Sequence, residues 1–465
     1  MIDNEKPLRN RVLAKIAARA LTHPHDDGIV RIIMKKITLD FQRDRLANGL
    51  TILTLEDHSH PIVTYQVHFA TGSRNERPGI TGISHLFEHM MFRGSKELGP
   101  EEFARIIQAN GGTLNAFTTL DNTSYFENLP PAILELAIRL EAERLENLRL
   151  NQENLDTERE VVRSERKMRT VNAPFGLLVE QLFAVAFDQH PYQWPVIGWD
   201  HDLKRLTLED CREYYRDGYA PNNAVIAIVG DFVREKALAW IERYYGHLTP
   251  QPPQETPPVR EQPQRGERRA WYKKVSQVEA FFAGFHCPGV TDPDVFPLLA
   301  VSNILSHGKS SRLYQRFVKT GMAVEAQVEI DPPPLWPVDP GLLQVYAIAV
   351  PGVPIDHLEK EIWQAIEEIH TGGLEVAELA KAKRGLIAAF VMGLQSVFMQ
   401  GLSGGLAEIK ARDFSVVNTM VERVEEITQE DIRRVAQRYL VADNRTVVTL
   451  QPITPEENER LAPVE

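Results

Sequence analysis

At 465 residues the chain is too long for one ordinary hydrophobic core, and two or more domains are expected. Its hydrophobic content of 43% and charged content of 25% are those of a soluble globular protein, and a net charge of −12 with no dense Lys/Arg patch argues against a nucleic-acid binder. Neither Cys211 nor Cys287 belongs to a Cys-x-x-Cys pair, which argues against a disulfide framework or cysteine-ligated zinc and predicts two small buried residues.

No run approaches the roughly 18 apolar residues of a transmembrane helix, and the N-terminus lacks the apolar core of a secretory leader. Residues 8–21 read as a short basic amphipathic helix, with Arg11, Lys15 and Arg19 on one face. Asp3 and Glu5 dilute a targeting signature, which favours an ordinary helix docked on the body over a transit-type remnant or a membrane-surface helix. Two free cysteines and the missing leader point to the cytoplasm, with the periplasm as the alternative if a leader has been removed.

The first expected strand is 50–55, after Asn48 and Gly49. A second follows at 62–70, where Val63, Tyr65, Val67 and Phe69 alternate with other residues. His58, His60 and His68 have no matched spacing and read as structural or solvent-exposed. Then comes His85-Leu86-Phe87-Glu88-His89. On an α-helix, histidines four apart project from one face a turn apart, and neutral imidazoles so placed can chelate a divalent metal. Glu88 shares that face, where a carboxylate could take a proton from an activated water. Ile83, Leu86, Phe87 and Met90 form a stripe pointing roughly the opposite way, so the predicted helix has a packing side and a reactive side. Thr81 is the expected N-cap and Gly94 suits the C-terminal cap. The triplet is rare by composition, and His-x-x-Glu-His is a known zinc-peptidase pattern.

Beyond it, Gly99 and Pro100 open a helix with Pro at its first position, ending at Gly111 and Gly112. Residues 113–127 read as strand, 130–148 as a long helix and 156–168 as another. The segment 198–215 leads by a helix into a strand at 224–229. Residues 249–266 hold Pro250, Pro252, Pro253, Pro257, Pro258 and Pro263 and almost nothing apolar, as in an extended, semi-rigid linker. Past it the pattern restarts: strand 277–286, helices from Asp292 toward Gly308 and at 311–319, strands 323–330 and 342–350 around a proline-rich loop, and helices at 356–370 and 375–400. Thr207, Glu209, Asp210 and Asn223 recur, all at one constant offset, as Thr428, Glu430, Asp431 and Asn444. With the linker between them, these point to two duplicated α+β halves. Position 306, which stands at the same offset from His85, is Ser, so only the first half holds the metal motif.

Two histidines leave a hydrolytic zinc site one protein ligand short. Glu158 and Glu165 lie seven apart on one predicted helical face, but spacing alone does not select them from 64 acidic residues. The inverted His-x-x-Glu-His motif, followed downstream by a helix with the pattern Glu158-x6-Glu165, resembles the pitrilysin family of zinc peptidases, which includes insulin-degrading enzyme and the mitochondrial processing peptidase. The likeness extends to 112–118, to Asp121, Thr123 and Tyr125, and to 219–223 with Gly230 and Asp231. It covers most of 38–450 and lies nearest the bacterial, processing-peptidase-like branch. The resemblance implies that His85, His89 and Glu165 ligate one zinc ion per chain and that Glu88 is the general base. It further implies that Glu158 orients a ligand, and that Asn115 and Ala116 belong to an edge strand that hydrogen-bonds an extended substrate.

One departure matters. The family's second half supplies an Arg and, seven residues on, a Tyr, which reach the substrate and the developing oxyanion. Here the stretch is one residue short, with Val318 and Val324 in those places. Tyr314, Arg312 and Arg316 have the wrong spacing and read as helix surface. The resemblance therefore implies a zinc metalloendopeptidase that hydrolyses unfolded peptides in an enclosed chamber, as the zinc-bearing subunit of a heterodimer whose related partner supplies the Arg/Tyr pair. The alternatives are a self-sufficient or homodimeric peptidase, and a non-catalytic scaffold like the core proteins of respiratory complexes. The expected fold is α+β: two duplicated processing-peptidase-like domains, each an antiparallel-rich sheet packed with helices, forming half of a clamshell. Its expected boundaries are an N-terminal extension at 1–37, a zinc-bearing domain at 38–248, the linker at 249–268 and a second domain at 269–460.

Overall fold

The computed structural model describes residues 38–252 and 259–461. The basic amphipathic helix expected at 8–21, and the linker prolines Pro253, Pro257 and Pro258, lie outside the described residues.

Among the described residues the strands form two sheets. The first contains β1 (Gln42–Arg45), β2 (Thr51–Glu56), β3 (Val63–Phe69), β4 (Thr113–Thr118), β5 (Thr123–Leu129) and β6 (Ala224–Gly230), in the order β1-β2-β6-β3-β5-β4. The second contains β7 (Arg268–Val275), β8 (Ala280–Cys287), β9 (Ala323–Glu329), β10 (Gly341–Ala349) and β11 (Arg445–Ile453), in the order β7-β11-β8-β10-β9. Without β1 the two orders coincide. Each sheet also has its one parallel pairing in the same place, β2 with β6 and β7 with β11, the rest being antiparallel.

Among the described residues the helices of seven or more residues are α1 (Ile83–Met90), α2 (Glu102–Ala109), α3 (Leu134–Asn147), α4 (Gln152–Arg166), α5 (Gly176–Ala186), α6 (Leu208–Gly218) and α7 (Arg234–Tyr245). After the linker come α8 (Val295–Ser306), α9 (Ile355–His370), α10 (Val376–Gly393), α11 (Val397–Ala411), α12 (Met420–Glu426), α13 (Gln429–Tyr439) and α14 (Pro455–Leu461). The starts of α3 and α9, α5 and α11, α6 and α13, and β6 and β11 are separated by the same offset that relates Thr207 to Thr428. The echo read in the sequence therefore runs through most of each half. Thr207 and Thr428 both close a capping box with the Asp three residues on, satisfying orphan N–H groups at the starts of α6 and α13.

The chain folds into two compact units. One comprises the described residues up to Val162, those from Val196 to 252, and Ile387–Val421; the other holds Arg163–Pro195, 259–386 and the described residues from Glu422 onward. Their membership differs from the contiguous spans 38–248 and 269–460. Helix α5 belongs to the second unit, where it packs on β7, β8 and β11, and its equivalent α11 belongs to the first, where it packs on β3 and β6. In the first unit this buries β2 and β6 on both faces. Ile52, Ile226 and Ile228 join the core that holds α1 and α3, whereas Leu53, Val225, Ala227 and Val229 join the layer that includes Ala407 and Ile409 of α11.

Several sequence expectations need correction. Residues 113–127 are not one strand but the hairpin β4–β5, whose turn is held by Thr119 Oγ1 accepting the N–H groups of Asp121 and Asn122. A further strand precedes the one expected at 277–286: β7, which begins at Arg268, is an edge strand with alternate residues exposed, its apolar content thinned by charge. The helix expected at 375–400 breaks between α10 and α11, and 311–319 contains a π-helical turn at Tyr314–Val318. Pro100 precedes Glu101, the N-cap of α2, instead of occupying the first helical position. Cys211 and Cys287 are buried as expected, and burial pushes both thiols up to about 12. Among the described residues no single helix is long and apolar enough to cross a membrane.

Candidate metal centre

Helix α1 divides its surface as its sequence pattern demands. Ile83, Leu86, Phe87 and Met90 are fully buried, while His85, Glu88 and His89 remain partly exposed. The expected caps differ. The N-cap is Gly82, not Thr81, in a left-handed conformation at φ 88°, and the helix closes at Met91, not Gly94. Gly82 is required because a Cβ there would lie 2.6 Å from the Ile197 carbonyl oxygen and 2.8 Å from the Gly198 Cα. With no side chain at the cap, two buried carboxylates hold this end. Glu76 accepts the N–H groups of Gly82 and Ser84, both at 2.9 Å, and Asp202 accepts those of Gly79 and Thr81 together with the Thr81 hydroxyl. Burial pushes the Glu76 carboxyl up to about 8, against the pull of the Ser84 and Gly82 donors.

Helix α4 brings the second part of the site. Leu155 and Val162 are fully buried in the same core as α1, and Glu158 is 2% exposed on the face between them. The division between the units falls after Val162, inside this continuous helix, so Glu165 is placed by a helix most of which belongs to the first unit. One ligating atom from each of His85, His89 and Glu165 lies within 4.8 Å of the others. Ligands on tetrahedral zinc stand roughly 3.3 Å apart, so the two imidazoles and the carboxylate fit that ion in donor chemistry and would reach its spacing by closing together. His89 Nδ1 lies 3.2 Å from Glu158 Oε2. If Nδ1 carries the proton there, Nε2 is left as the ligating atom.

Three partners of these groups escaped the sequence reading. Thr118 Oγ1 donates to Glu88 Oε2 at 2.6 Å, the Arg93 guanidinium holds the other oxygen of Glu158, and Arg169 meets Glu165 Oε1 at 2.5 Å from a π-helical turn at Lys167–Val171. A faint signal existed for one of them, since Arg169 follows Glu165 by four residues. Beneath α1, the buried Arg144 bonds to Glu141 and lies over the rings of Phe92, Phe103 and Tyr125. Glu127 sits beside this pair, and burial, then the charge of Glu141, raises its carboxyl well above the usual range.

Asn115 and Ala116 lie on β4, which pairs only with β5 and so ends the sheet among the described strands. Asn115 Oδ1 accepts the Ala116 N–H at 2.9 Å. In the second unit Val324 is 57% exposed on β9, the matching end strand, and Val318 closes the π-helical turn. Arg312 and Arg316, read as helix surface, are engaged by Glu378 and Glu368 respectively. His68 is buried against Ser124, and burial lowers it to about 3, which fits a structural histidine.

The family model described as insulinase (peptidase family M16) matches residues 51–199, and the one described as peptidase M16 inactive domain matches 205–386. The zinc protease PqqE of Helicobacter pylori is 30% identical over 416 residues, which cover 88% of this chain and 92% of that protein. A probable mitochondrial-processing peptidase subunit beta of Arabidopsis thaliana is 24% identical, over 88% of this chain and 78% of its own. Among solved structures, a protease from Helicobacter pylori superposes with a TM-score of 0.84 at 30% identity, covering 89% of this chain and 100% of that one.

Proposed function

The chain belongs to the M16 peptidase family, and from that premise we propose that it is a zinc metalloendopeptidase that hydrolyses unfolded peptides. His85, His89 and Glu165 are its metal ligands and Glu88 its general base. The observation that carries this reading is the convergence of those three ligand atoms beside Glu88 on the open face of α1. When bound, zinc supplies a Lewis acid to the peptide carbonyl and lowers the pKa of a water. Glu88 takes the proton of the attacking water and returns it to the leaving amine as the C–N bond breaks. Glu158, braced by Arg93, keeps His89 in one orientation and one tautomer.

The free side of β4 calls for an extended backbone, because only such a chain can add to a sheet as another strand. An incoming carbonyl would take over the Ala116 N–H from Asn115 Oδ1, and the enclosed chamber implied by the family resemblance makes the same demand for unfolded chains. Val318 and Val324 supply neither a cation nor a hydroxyl, and Arg312 and Arg316 are ion-paired elsewhere. We therefore assign the oxyanion-stabilising Arg/Tyr pair to a related partner subunit, which makes this chain the zinc-bearing member of a heterodimer.

The test is cleavage of a flexible quenched-fluorescent peptide by the zinc-loaded full chain, alone and with a related chain carrying Arg-x6-Tyr, with Glu88→Gln as the blank. Zinc-dependent cleavage with the partner, absent from the blank, is expected, and an unfolded protein should be cut where its tightly folded form resists. Full activity without a partner overturns the heterodimer. Equal cleavage of folded and unfolded protein overturns the substrate class. No activity with any related partner leaves the scaffold reading.

A further inference from the structure

The bond from Thr118 to Glu88 joins two elements fixed independently. Thr118 ends β4, where its backbone pairs with Thr123 of β5, and it shares a strand face with Leu114 and Ala116. Glu88 is fixed by the fully buried stripe on the opposite side of α1. Threonine is stiff at χ1, so the direction of its hydroxyl follows from the backbone. The bond is short, 2.6 Å, with a carboxylate as acceptor, the class of hydrogen bond that contributes most. Two residues before Thr118, on the same strand, is Ala116, whose N–H stands on the side open to an added strand.

We infer that Thr118 is the positioning residue of the catalytic base: its hydroxyl holds Glu88 Oε2, so that the proton is carried on Oε1, and ties the base to the strand that aligns the substrate. This rests on the peptidase reading above. As the water oxygen bonds to the carbonyl carbon, one water proton passes to Oε1. Oε2 is then the carbonyl oxygen of a carboxylic acid and still accepts from Thr118. The proton leaves Oε1 for the amine nitrogen as the C–N bond breaks, and the carboxylate is restored. The hydroxyl proton of Thr118 is never transferred. Its role is geometric, holding the base in register with a carbonyl that the same strand presents.

The test uses the zinc-loaded full chain, with its partner where turnover needs one, and compares wild type, Thr118→Val, Thr118→Ser and Glu88→Gln. Valine keeps the shape and removes the donor, and serine restores the donor. Thr118→Val is expected to lower kcat by about 10- to 100-fold with KM, zinc content and melting temperature unchanged, and Thr118→Ser to regain most of the loss. A readout independent of turnover is the infrared carboxylate stretch. It should be displaced in Thr118→Val relative to wild type, undisplaced in Thr118→Ser, and undisplaced when Thr118→Val is added to Glu88→Gln. A wild-type kcat in Thr118→Val, an equal loss in the serine variant, or a loss accompanied by unfolding or lost zinc overturns the inference. A wild type inactive with every partner overturns the peptidase reading, and the role of Thr118 with it.

Discussion

Helix α1 follows β3 and helix α8 follows β8, the matching strands of the two sheets, yet the two helices are held by different means. Counted from the helix starts, the places of His85, Glu88 and His89 are taken in α8 by Pro297, Ala300 and Val301, all buried. By the sequence offset between the halves the place of His85 falls instead on Ser306, which bonds to carbonyls of Ser302 and Val328. Helix α8 is apolar around most of its circumference and is held by burial. Helix α1 leaves one side open to polar groups, and the connection before it, 70–82, is longer than the one before α8, 288–294. That longer connection carries Glu76, and the same end of the helix is met by Asp202. A helix that keeps reactive groups available gives up half of its apolar hold, and buried carboxylates at its end supply the remainder.

Four experiments would break or sharpen this contrast. The largest effect is expected at Glu88→Gln, which should lower kcat by about 10²- to 10⁴-fold while zinc content and the urea midpoint stay at wild-type values. A large loss of stability there would mean that the open face of α1 is structural after all. Next, Ala300→Glu with Val301→His, which puts the reactive residue types into α8, should cost about 3 kcal/mol or more in urea unfolding, because buried polar groups arrive without partners. A stable double variant would erase the contrast. Third, Glu158→Gln should weaken zinc binding by about 10- to 100-fold in competition with a chromophoric chelator, and an unchanged affinity would remove Glu158 from the site.

The smallest effect concerns pH. Glu76 titrates at about 8 in the folded chain, above its ordinary 4.5, so the folded state holds a proton that the unfolded state has already released. Its contribution is complete below pH 4.5 and is lost as pH rises toward 8, at up to about 1.4 kcal/mol per pH unit. The melting temperature of wild type should therefore decline between pH 6 and 9, and Glu76→Gln, which keeps the carbonyl acceptor but cannot ionise, should flatten part of that decline. Parallel curves for the two proteins would show that the carboxyl ionises as it does in water.

The site was legible where its signal is local. Two histidines and a glutamate share one face within two turns, with an apolar stripe behind them, and periodicity alone reveals that. Glu165 has no local signature, and only the family resemblance selected it. Thr118 and Arg93 were invisible as partners because each meets its carboxylate across tertiary packing. In the fold, β7 was not recognised as a strand because its Arg, Lys and Tyr residues dilute an edge strand whose parallel partner, β11, lies far along the chain. The helix expected at 375–400 ran through the α10–α11 break because Gly393, Gln395 and Ser396 are weak stops inside a good helical pattern. The exchange of α5 and α11 leaves no mark in either sequence, since both helices are largely apolar and neither pattern specifies the sheet it covers.

That exchange also sets an order of events during synthesis. The face of β6 formed by Val225, Ala227 and Val229 has its covering helix encoded at Val397–Ala411, so the first unit cannot complete its second layer until most of the chain has left the ribosome. Helix α5 is made early and waits for β7, β8 and β11, the last of which is encoded far downstream. The first unit thus becomes whole only after Val397–Ala411 has been made, and a nascent fragment that already carries His85, His89 and Glu165 still lacks that part of it.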